Sequence, residues 1–481
     1  MTRGRLALHA HFYQPERRDP FGGATPPEPA AAPFTSWNAR ITAECYRPNA
    51  ERGNLDRISF NVGPTLTSFL ASDAPDVLAR IALSARTQNA LAQGFHHAIL
   101  PLASLRDRRT EVRWGMRDYQ VRFGHPPTGF WLPEAAVDEP ILRTLAEEGI
   151  RWTVLAPWQA ATPAIESRHP HRVSLGGGRS LIVAFYDAAL SGAISFQPEV
   201  TADADRFARD WVLSRTSSPL HRDSSSSWQA GSPLVLVATD GELYGHHQPF
   251  RDLFLQRLVD PAMDRGFDVV PLGEALAAED REVLPRVRIV DRTSWSCHHG
   301  VLRWSGECPC APDGRWKQPL RAALERLAGG IDTMTESRAG ALHGAPGADR
   351  WSTPVDPWAA RDAYVDVVLG LETPQAFSAH LLGDTAPVPA RRELETLLEA
   401  QRWRLAMFAS DGWYWGEPDR PETKHVLRCA ARAARLVDGI AGTRLEGRLV
   451  EDLALLAWPA RGIDGVAIYR EALAEVGQSP A

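Results

Sequence analysis

Cysteine is scarce in this chain, with five in 481 residues. So sparse and odd a set supplies no disulfide framework. Long apolar runs are missing as well: none approaches the roughly 20 residues that a helical membrane span requires. Met1-Thr2-Arg3-Gly4-Arg5 is followed by no apolar signal core. A basic surplus is also lacking. The net charge is −6, which argues against nucleic acid or an anionic membrane surface as partner. No repeat of fixed period runs through the chain. The glycine run Gly176-Gly177-Gly178 has neither the spacing nor the following helix of a phosphate-binding loop. What these absences leave is a cytoplasmic globular protein, long enough for about two or three domains.

Tryptophan is abundant by contrast, 16 against 8 tyrosines, and many stand beside acids or histidines. Indole faces stack on the apolar faces of sugars, so a tryptophan-rich polar cleft points to carbohydrate. The most informative stretch is Val235-Leu236-Val237-Ala238-Thr239-Asp240-Gly241-Glu242-Leu243-Tyr244-Gly245-His246-His247. Its apolar run reads as a buried strand that stops at two carboxylates and two histidines. Thr128-Gly129-Phe130-Trp131-Leu132-Pro133-Glu134 has the same form, ending in a proline and an acid. In parallel α/β folds the C-terminal ends of strands gather side chains around one crevice.

The remaining chain keeps a strand–helix cadence. Residues 5–12 read as a first strand whose period of two puts His9 and His11 on one side. Residues 15–57, rich in proline, glycine and charge, read as a long loop. The pattern predicts a strand at 58–63, a helix from 75 to a stop at Gly94, and a strand over 95–102 carrying His96 and His97. A helix over 105–123 follows, with Gly124 as its stop. Asp138 is placed to cap a helix that Gly149 ends, and 151–155 is a strand. Two strands flank the glycine triplet, a serine-rich insertion spans 214–232, and a last strand lies at 267–270. About seven such units fit residues 1–288 as an incomplete (β/α)7 TIM-like barrel. Residues 289–481 show helical periods at 318–327, 358–370, 390–409, 424–440 and 448–456, the pattern of an α-helical C-terminal domain.

Glu134 and Asp240, each at a strand end, are the residue types that glycosidic bond cleavage needs: one carboxyl that stays protonated for the leaving oxygen and one ionised carboxylate across the anomeric carbon. His9-Ala10-His11-Phe12-Tyr13-Gln14-Pro15, Gly94-Phe95-His96-His97, Trp131-Leu132-Pro133-Glu134 and Asp240-Gly241-Glu242-Leu243-Tyr244-Gly245-His246 occur in this order. On these segments the chain resembles glycoside hydrolase family 57, the α-glucan hydrolases and transferases. It is most similar to the branch carrying a C-terminal domain of unknown function numbered 3536, through Leu155-Ala156-Pro157-Trp158-Gln159-Ala160, Ser294-Trp295-Ser296-Cys297-His298-His299-Gly300 and Ala409-Ser410-Asp411-Gly412-Trp413-Tyr414-Trp415. The resemblance implies an incomplete barrel with Glu134 as nucleophile and Asp240 as acid/base, and His11 and Trp131 lining the sugar site. Phe95-His96-His97 stands where the better-known amylases have Gly-Asn and an acid, a departure that bears on substrate and linkage.

Among the supporting residues, Glu242 lies two positions past Asp240, where its charge is expected to raise the acid's pKa. His9, His97 and His246 are candidate hydroxyl-binding groups, and Trp413 a candidate aromatic cap. The expected partner is an α-glucan or oligosaccharide, with no cofactor and no catalytic metal. The competing readings are a metal-dependent hydrolase, deacetylase or α-mannosidase-like enzyme using His9, His11, Asp240 and His246, and a non-catalytic glucan-binding protein. Cys297, His298, Cys308 and Cys310 form a second candidate metal set, with tight Cys-x-Cys spacing.

Overall fold

The computed structural model describes residues 3–23, 25–85, 89–162, 164–217, 232–343, 356–383, 386–458 and 462–475. Most of the serine-rich insertion expected at 214–232 lies outside them. The chain sorts into two compact units, Met1–Gln14 with Glu28–Phe95 and Asp118–Gly300, and Pro15–Pro27 with His96–Arg117 and Val301–Ala481.

The first unit is built on a nine-stranded, mostly parallel sheet. Its strands are β1 (Gly4–Phe12), β2 (Ser59–Val62), β3 (Ala90–Gln93), β4 (Gly129–Trp131), β5 (Trp152–Leu155), β6 (His171–Ser174), β7 (Ser180–Phe185), β8 (Leu234–Asp240) and β9 (Phe267–Val269). They run β6-β7-β5-β4-β3-β2-β1-β8, with β9 beside β1 and only β6 antiparallel. The two ends of this path come together after β7, where the Asp187 N–H donates to the Leu236 carbonyl of β8 at 2.7 Å. The sheet therefore curls as a barrel does, without a closing ladder among the described residues.

Strand alternation explains the core. Ala7 of β1, Leu91 of β3, Trp131 of β4, Trp152 and Val154 of β5, Ile182 and Ala184 of β7, and Leu234, Leu236 and Ala238 of β8 form one buried cluster. Leu6, Leu8, Ala10 and Phe12 point the other way from β1 and are buried as well. A strand buried on both faces reads as a continuous apolar run, which is the form of 235–238.

Helix signals are realised closely where capping is strong. The helix Leu105–Phe123 stops before Gly124, whose φ is 78°. Asp138 Oδ1 accepts from the Ile141 N–H at 2.9 Å and starts the helix Glu139–Glu147. Two expectations are corrected at the third strand. The helix beginning at Pro75 ends at Ser84, and the strand is Ala90–Gln93 rather than 95–102. The buried Leu91 continues the helical period by coincidence of spacing. Phe95 to His97 turn instead of extending, and His97 has φ 57°.

The second unit is helical, as expected, led by Lys317–His343, Val388–Ala406, Pro421–Ala441 and Leu445–Leu453. One short antiparallel pair, Ala457–Trp458 with Ile463–Asp464, interrupts it. At its centre the fully buried Arg361 pairs with Asp107 at 2.9 Å, and Arg404 reaches the same carboxylate at 2.7 Å.

A test of the packing lies beside the end of β8. A Cβ on Gly241 would enter the ring of Phe12, so Gly241→Ala is expected to cost about 1–3 kcal/mol through overpacking. Urea unfolding of the purified variant measures it, and an unchanged midpoint would contradict this packing.

Candidate active site

The top of the barrel interior is polar because the inward rows of several strands end in polar residues at one level. On β1 the inward row runs Ala7, His9, His11; on β8 it runs Leu234, Leu236, Ala238, Asp240. Parallel register sets His11 opposite Asp240 on one side and opposite Asn61 of β2 on the other. Gln93 stands opposite Trp131 in the pairing of β3 with β4.

Asn61 is the hub of this layer. Its Oδ1 lies 3.1 Å from His9 Nε2 and 3.1 Å from His11 Nδ1, and its amide donates to Gln93 Oε1. Trp131, fully buried, stacks on His9 with centroids 4.5 Å apart and on His11 at 5.1 Å. Burial pulls His9 down to about 3, helped by the neighbouring His11, and His11 down to about 4. Both rings are therefore neutral near pH 7. Three buried polar atoms in this layer, His9 Nδ1, Gln93 Nε2 and Trp131 Nε1, have no hydrogen-bond partner among the described residues.

Glu134 follows β4 in a turn whose backbone is unusual. It has φ 56° and Ala135 has φ 45°, two consecutive non-glycine residues in the left-handed region. That conformation carries strain and is kept where the surroundings enforce it. Here the segment at 293–295 enforces it: the Val137 N–H donates to the Thr293 carbonyl at 2.9 Å, and the Trp295 N–H donates to the Glu134 carbonyl at 3.0 Å. The same segment places two donors on the Glu134 side chain, the Ser296 hydroxyl at 2.6 Å and the Trp295 indole N–H at 3.3 Å, both to Oε2. The Trp295 ring meets Trp131 edge-on at 4.9 Å and His11 at 5.9 Å. Glu134 is thereby tied to the ring system that flanks the Asp240 strand. Tyr186 extends this aromatic wall, 6.4 Å from Trp295, and the partly exposed Trp158 stands 6.0 Å beyond it.

Asp240 opens to solvent, yet the walls around it desolvate its carboxyl and push it up to about 6. The expected cause was charge repulsion from Glu242, and the structure corrects this: burial accounts for the shift of Asp240. The repulsion is felt by Glu242 instead, which is raised to about 8, first by burial and then by Asp240. Glu242 is buried and accepts at Oε1 from the Tyr46 hydroxyl at 2.6 Å and from the Tyr13 N–H at 3.1 Å. Asn49 holds the turn after Asp240 by donating to the Tyr244 carbonyl at 2.7 Å.

The other candidates have partners within their own units. His246 Nδ1 pairs with Glu44 Oε2 at 2.6 Å, and its ring meets Trp37 edge-on. In the second unit, His97 Nδ1 bonds the Ser410 hydroxyl at 2.7 Å. Trp413 is fully buried there, stacked on Phe408 with the Arg321 guanidinium 4.7 Å above its ring, which corrects its expected role as a cap: no indole face is left for a sugar. The alternative metal set also fails to converge, since His9 and His11 turn to Asn61 and His246 to Glu44. His298, named in the second candidate metal set, lies against Trp158. Asn61, Gln93, Trp295 and Ser296 are members of the site that sequence reasoning missed, and Tyr46 lies in the stretch 15–57 that it reads as a loop over the site. The inward parity of Asn61 and Gln93 is a usable signal; Trp295 and Ser296 stand in a segment that carries the family resemblance, but their link to Glu134 crosses 161 and 162 residues and leaves no local trace.

Two sequence families match the chain: Glycosyl hydrolase family 57 over residues 42–286 and a domain of unknown function, DUF3536, over residues 313–475. No curated protein matches it. Among solved structures it is similar to an exo-type maltose-forming amylase from Pyrococcus sp. ST04, at 15% identity over 98% of this chain and 88% of that one, with a TM-score of 0.73. A branching enzyme from Thermococcus kodakaraensis in complex with glucose is 14% identical over 100% of this chain and 98% of that one, TM-score 0.58. A 4-α-glucanotransferase from Thermococcus litoralis is 16% identical over 89% of this chain and 60% of that one, TM-score 0.54. At these identities the likeness is one of fold.

The raised Glu242 has a consequence for stability. A carboxyl at about 8 when folded and 4.5 as its ordinary value stabilises the fold only while protonated. That contribution is complete below about pH 4.5 and is lost as pH rises through 8. Gln at this position keeps an acceptor for Tyr46 and Tyr13 and has no proton to lose. The stability of Glu242→Gln relative to the parent is therefore expected to climb between pH 5 and pH 9 in urea unfolding. A constant difference across that range would refute the shift.

Proposed function

The chain belongs to glycosyl hydrolase family 57, and from that premise we propose that it is a retaining enzyme of α-glucans, with Glu134 as nucleophile and Asp240 as acid/base. The observation that carries this reading is the state of the two carboxyls at the end of the sheet. Glu134 is held by two donors on a strained turn, suited to a fixed anion. Asp240 is lifted to about 6 by burial, suited to hold and release a proton. Two acids whose surroundings separate their roles in this way are the pattern of double displacement.

In the first step the protonated Asp240 gives its proton to the glycosidic oxygen while Glu134 attacks the anomeric carbon, forming a glycosyl ester and freeing the leaving sugar. In the second, the Asp240 carboxylate takes a proton from the acceptor, whose oxygen displaces Glu134 and restores the original configuration. Water as acceptor gives hydrolysis, and a glucan hydroxyl gives transfer or branching. The α-glucan assignment is supported by the likeness to maltose-forming, branching and glucanotransferase enzymes. The orphaned polar atoms of His9, Gln93 and Trp131 are of the kind that sugar hydroxyls satisfy.

Incubation with amylose and maltooligosaccharides, with products resolved by size and linkage, is the direct test. The first product is expected as the α-anomer by proton NMR; initial inversion would end the proposal. Glu134→Gln and Asp240→Asn are each expected to lose about three decades of kcat, and near-parental rates in either would remove that residue from its role. Ser296→Ala deletes a hydrogen bond to a charged group worth about 1.5–3 kcal/mol, so its kcat is expected to fall roughly 10–100-fold with KM little changed. Because Asp240 must be protonated in the free enzyme, kcat/KM should decline above about pH 6.

A further inference from the structure

We propose that Trp158 is the stacking platform for a second sugar of the substrate chain, beyond the one attacked at Glu134, and that it makes the enzyme favour longer glucans; this rests on the α-glucan reading above. Trp158 follows β5, whose neighbours in the sheet are β4, which leads to Glu134, and β7, which leads to Tyr186. Ring contacts run outward from the polar layer without a break: Trp131 to Trp295 at 4.9 Å, Trp295 to Tyr186 at 6.4 Å, and Tyr186 to Trp158 at 6.0 Å. Trp131 and Tyr186 are buried and Trp295 is half-buried, whereas Trp158 keeps 36% of its surface open. It is the open end of the row. Two ring contacts separate it from Trp295, the ring that donates to Glu134, so it serves a neighbouring sugar rather than the one whose anomeric carbon reacts.

The open surface of this ring is apolar. Its one polar atom, Nε1, already donates to the Ser294 carbonyl at 3.0 Å, so what faces solvent is carbon surface that is costly to leave in water. The C–H faces of a glucosyl ring are the complement to such a surface. The platform is also fixed before any ligand arrives. Gln159, fully buried, donates from Nε2 to the Ala135 carbonyl at 2.8 Å and accepts at Oε1 from the Ala156 N–H at 2.8 Å. One side chain therefore ties the turn Pro157–Gln159, which carries Trp158, to the strained turn of Glu134 and Ala135. The segment 290–295 lies along both turns: the Val290 N–H donates to the Gln159 carbonyl at 2.9 Å and the Trp295 N–H to the Glu134 carbonyl at 3.0 Å. An aromatic ring held at a set distance from the nucleophile loses little conformational freedom on binding, and that raises its contribution to affinity. The exposed His298, 5.2 Å from the Trp158 ring, brackets it with an imidazole suited to sugar hydroxyls.

The test uses the full chain, with maltotriose and maltoheptaose as substrates. Trp158→Ala is expected to lower the ratio of kcat/KM for maltoheptaose over that for maltotriose roughly 10-fold, carried by KM. Trp158→Phe, which keeps a flat ring, should restore most of it. Phe196→Ala, at an exposed aromatic ending the helix Ala188–Phe196, should keep the parental ratio. Calorimetric titration of maltoheptaose into Glu134→Gln reads the platform without turnover, and adding Trp158→Ala there should weaken binding roughly 10-fold. A parental ratio and parental affinity in Trp158→Ala overturn the platform while the glycosidase reading stands. An equal loss for both chain lengths would put Trp158 at the reacting sugar and overturn it as well. If the parent binds maltoheptaose without cleaving it, the glycosidase reading falls and the affinity of Trp158→Ala decides the platform; if it neither binds nor cleaves, both fall.

Discussion

The pairing of β1 between two parallel neighbours is the constraint on which the site depends. A parallel ladder fixes which residues share a level, and the side-chain period of two fixes which of them point inward. Once His11 stands beside Asn61 and Asp240, the apolar interior of the barrel must end in a polar layer. Every member of that layer then has to be neutral, hydrogen-bonded or open to solvent, because an unpaired buried charge is too costly to keep. The histidines meet this demand by staying neutral against Asn61, Glu242 by retaining its proton, and Asp240 by opening to solvent at the end of its strand.

Glu134 meets the same demand differently. Its carboxyl accepts from donors brought from another part of the chain, and its backbone is held in a conformation that a free turn would abandon. The segment at 293–296 performs both tasks at once, pairing with the turn and capping the carboxylate. The aromatic contacts around Trp295 join that segment to the rings over β1. Glu134 is thus fixed by an assembly that packs on β1, the neighbour of the Asp240 strand, even though the two acids are supplied by strands four places apart in the sheet order.

Much of this was legible in the sequence where the signals are local. Strand runs ending in acids, the Asp138 cap and the stop at Gly124 depend on a few neighbouring residues, and the structure keeps them. The third strand was missed because Leu91 fits a helical and an extended pattern equally well. A rise in the pKa of Asp240 is legible in the sequence, but not its cause: the shift comes from burial, which no local stretch displays, whereas Glu242 is merely adjacent in sequence. Trp413 misled for a related reason, since an aromatic beside polar residues looks the same in sequence whether it lines a cleft or, as here, packs under Arg321 and Phe408.

The support given to Glu134 has a kinetic side. The Ser296 hydroxyl and the Trp295 indole N–H both donate to its carboxylate, and in the proposed role of nucleophile a carboxyl supported in that manner departs readily from a sugar ester. In a double displacement this shortens the lifetime of the sugar-bound enzyme. A short-lived adduct is captured by whatever already occupies the acceptor position, so the choice between water and a second saccharide passes from the chemistry of the ester to the occupancy of the neighbouring space.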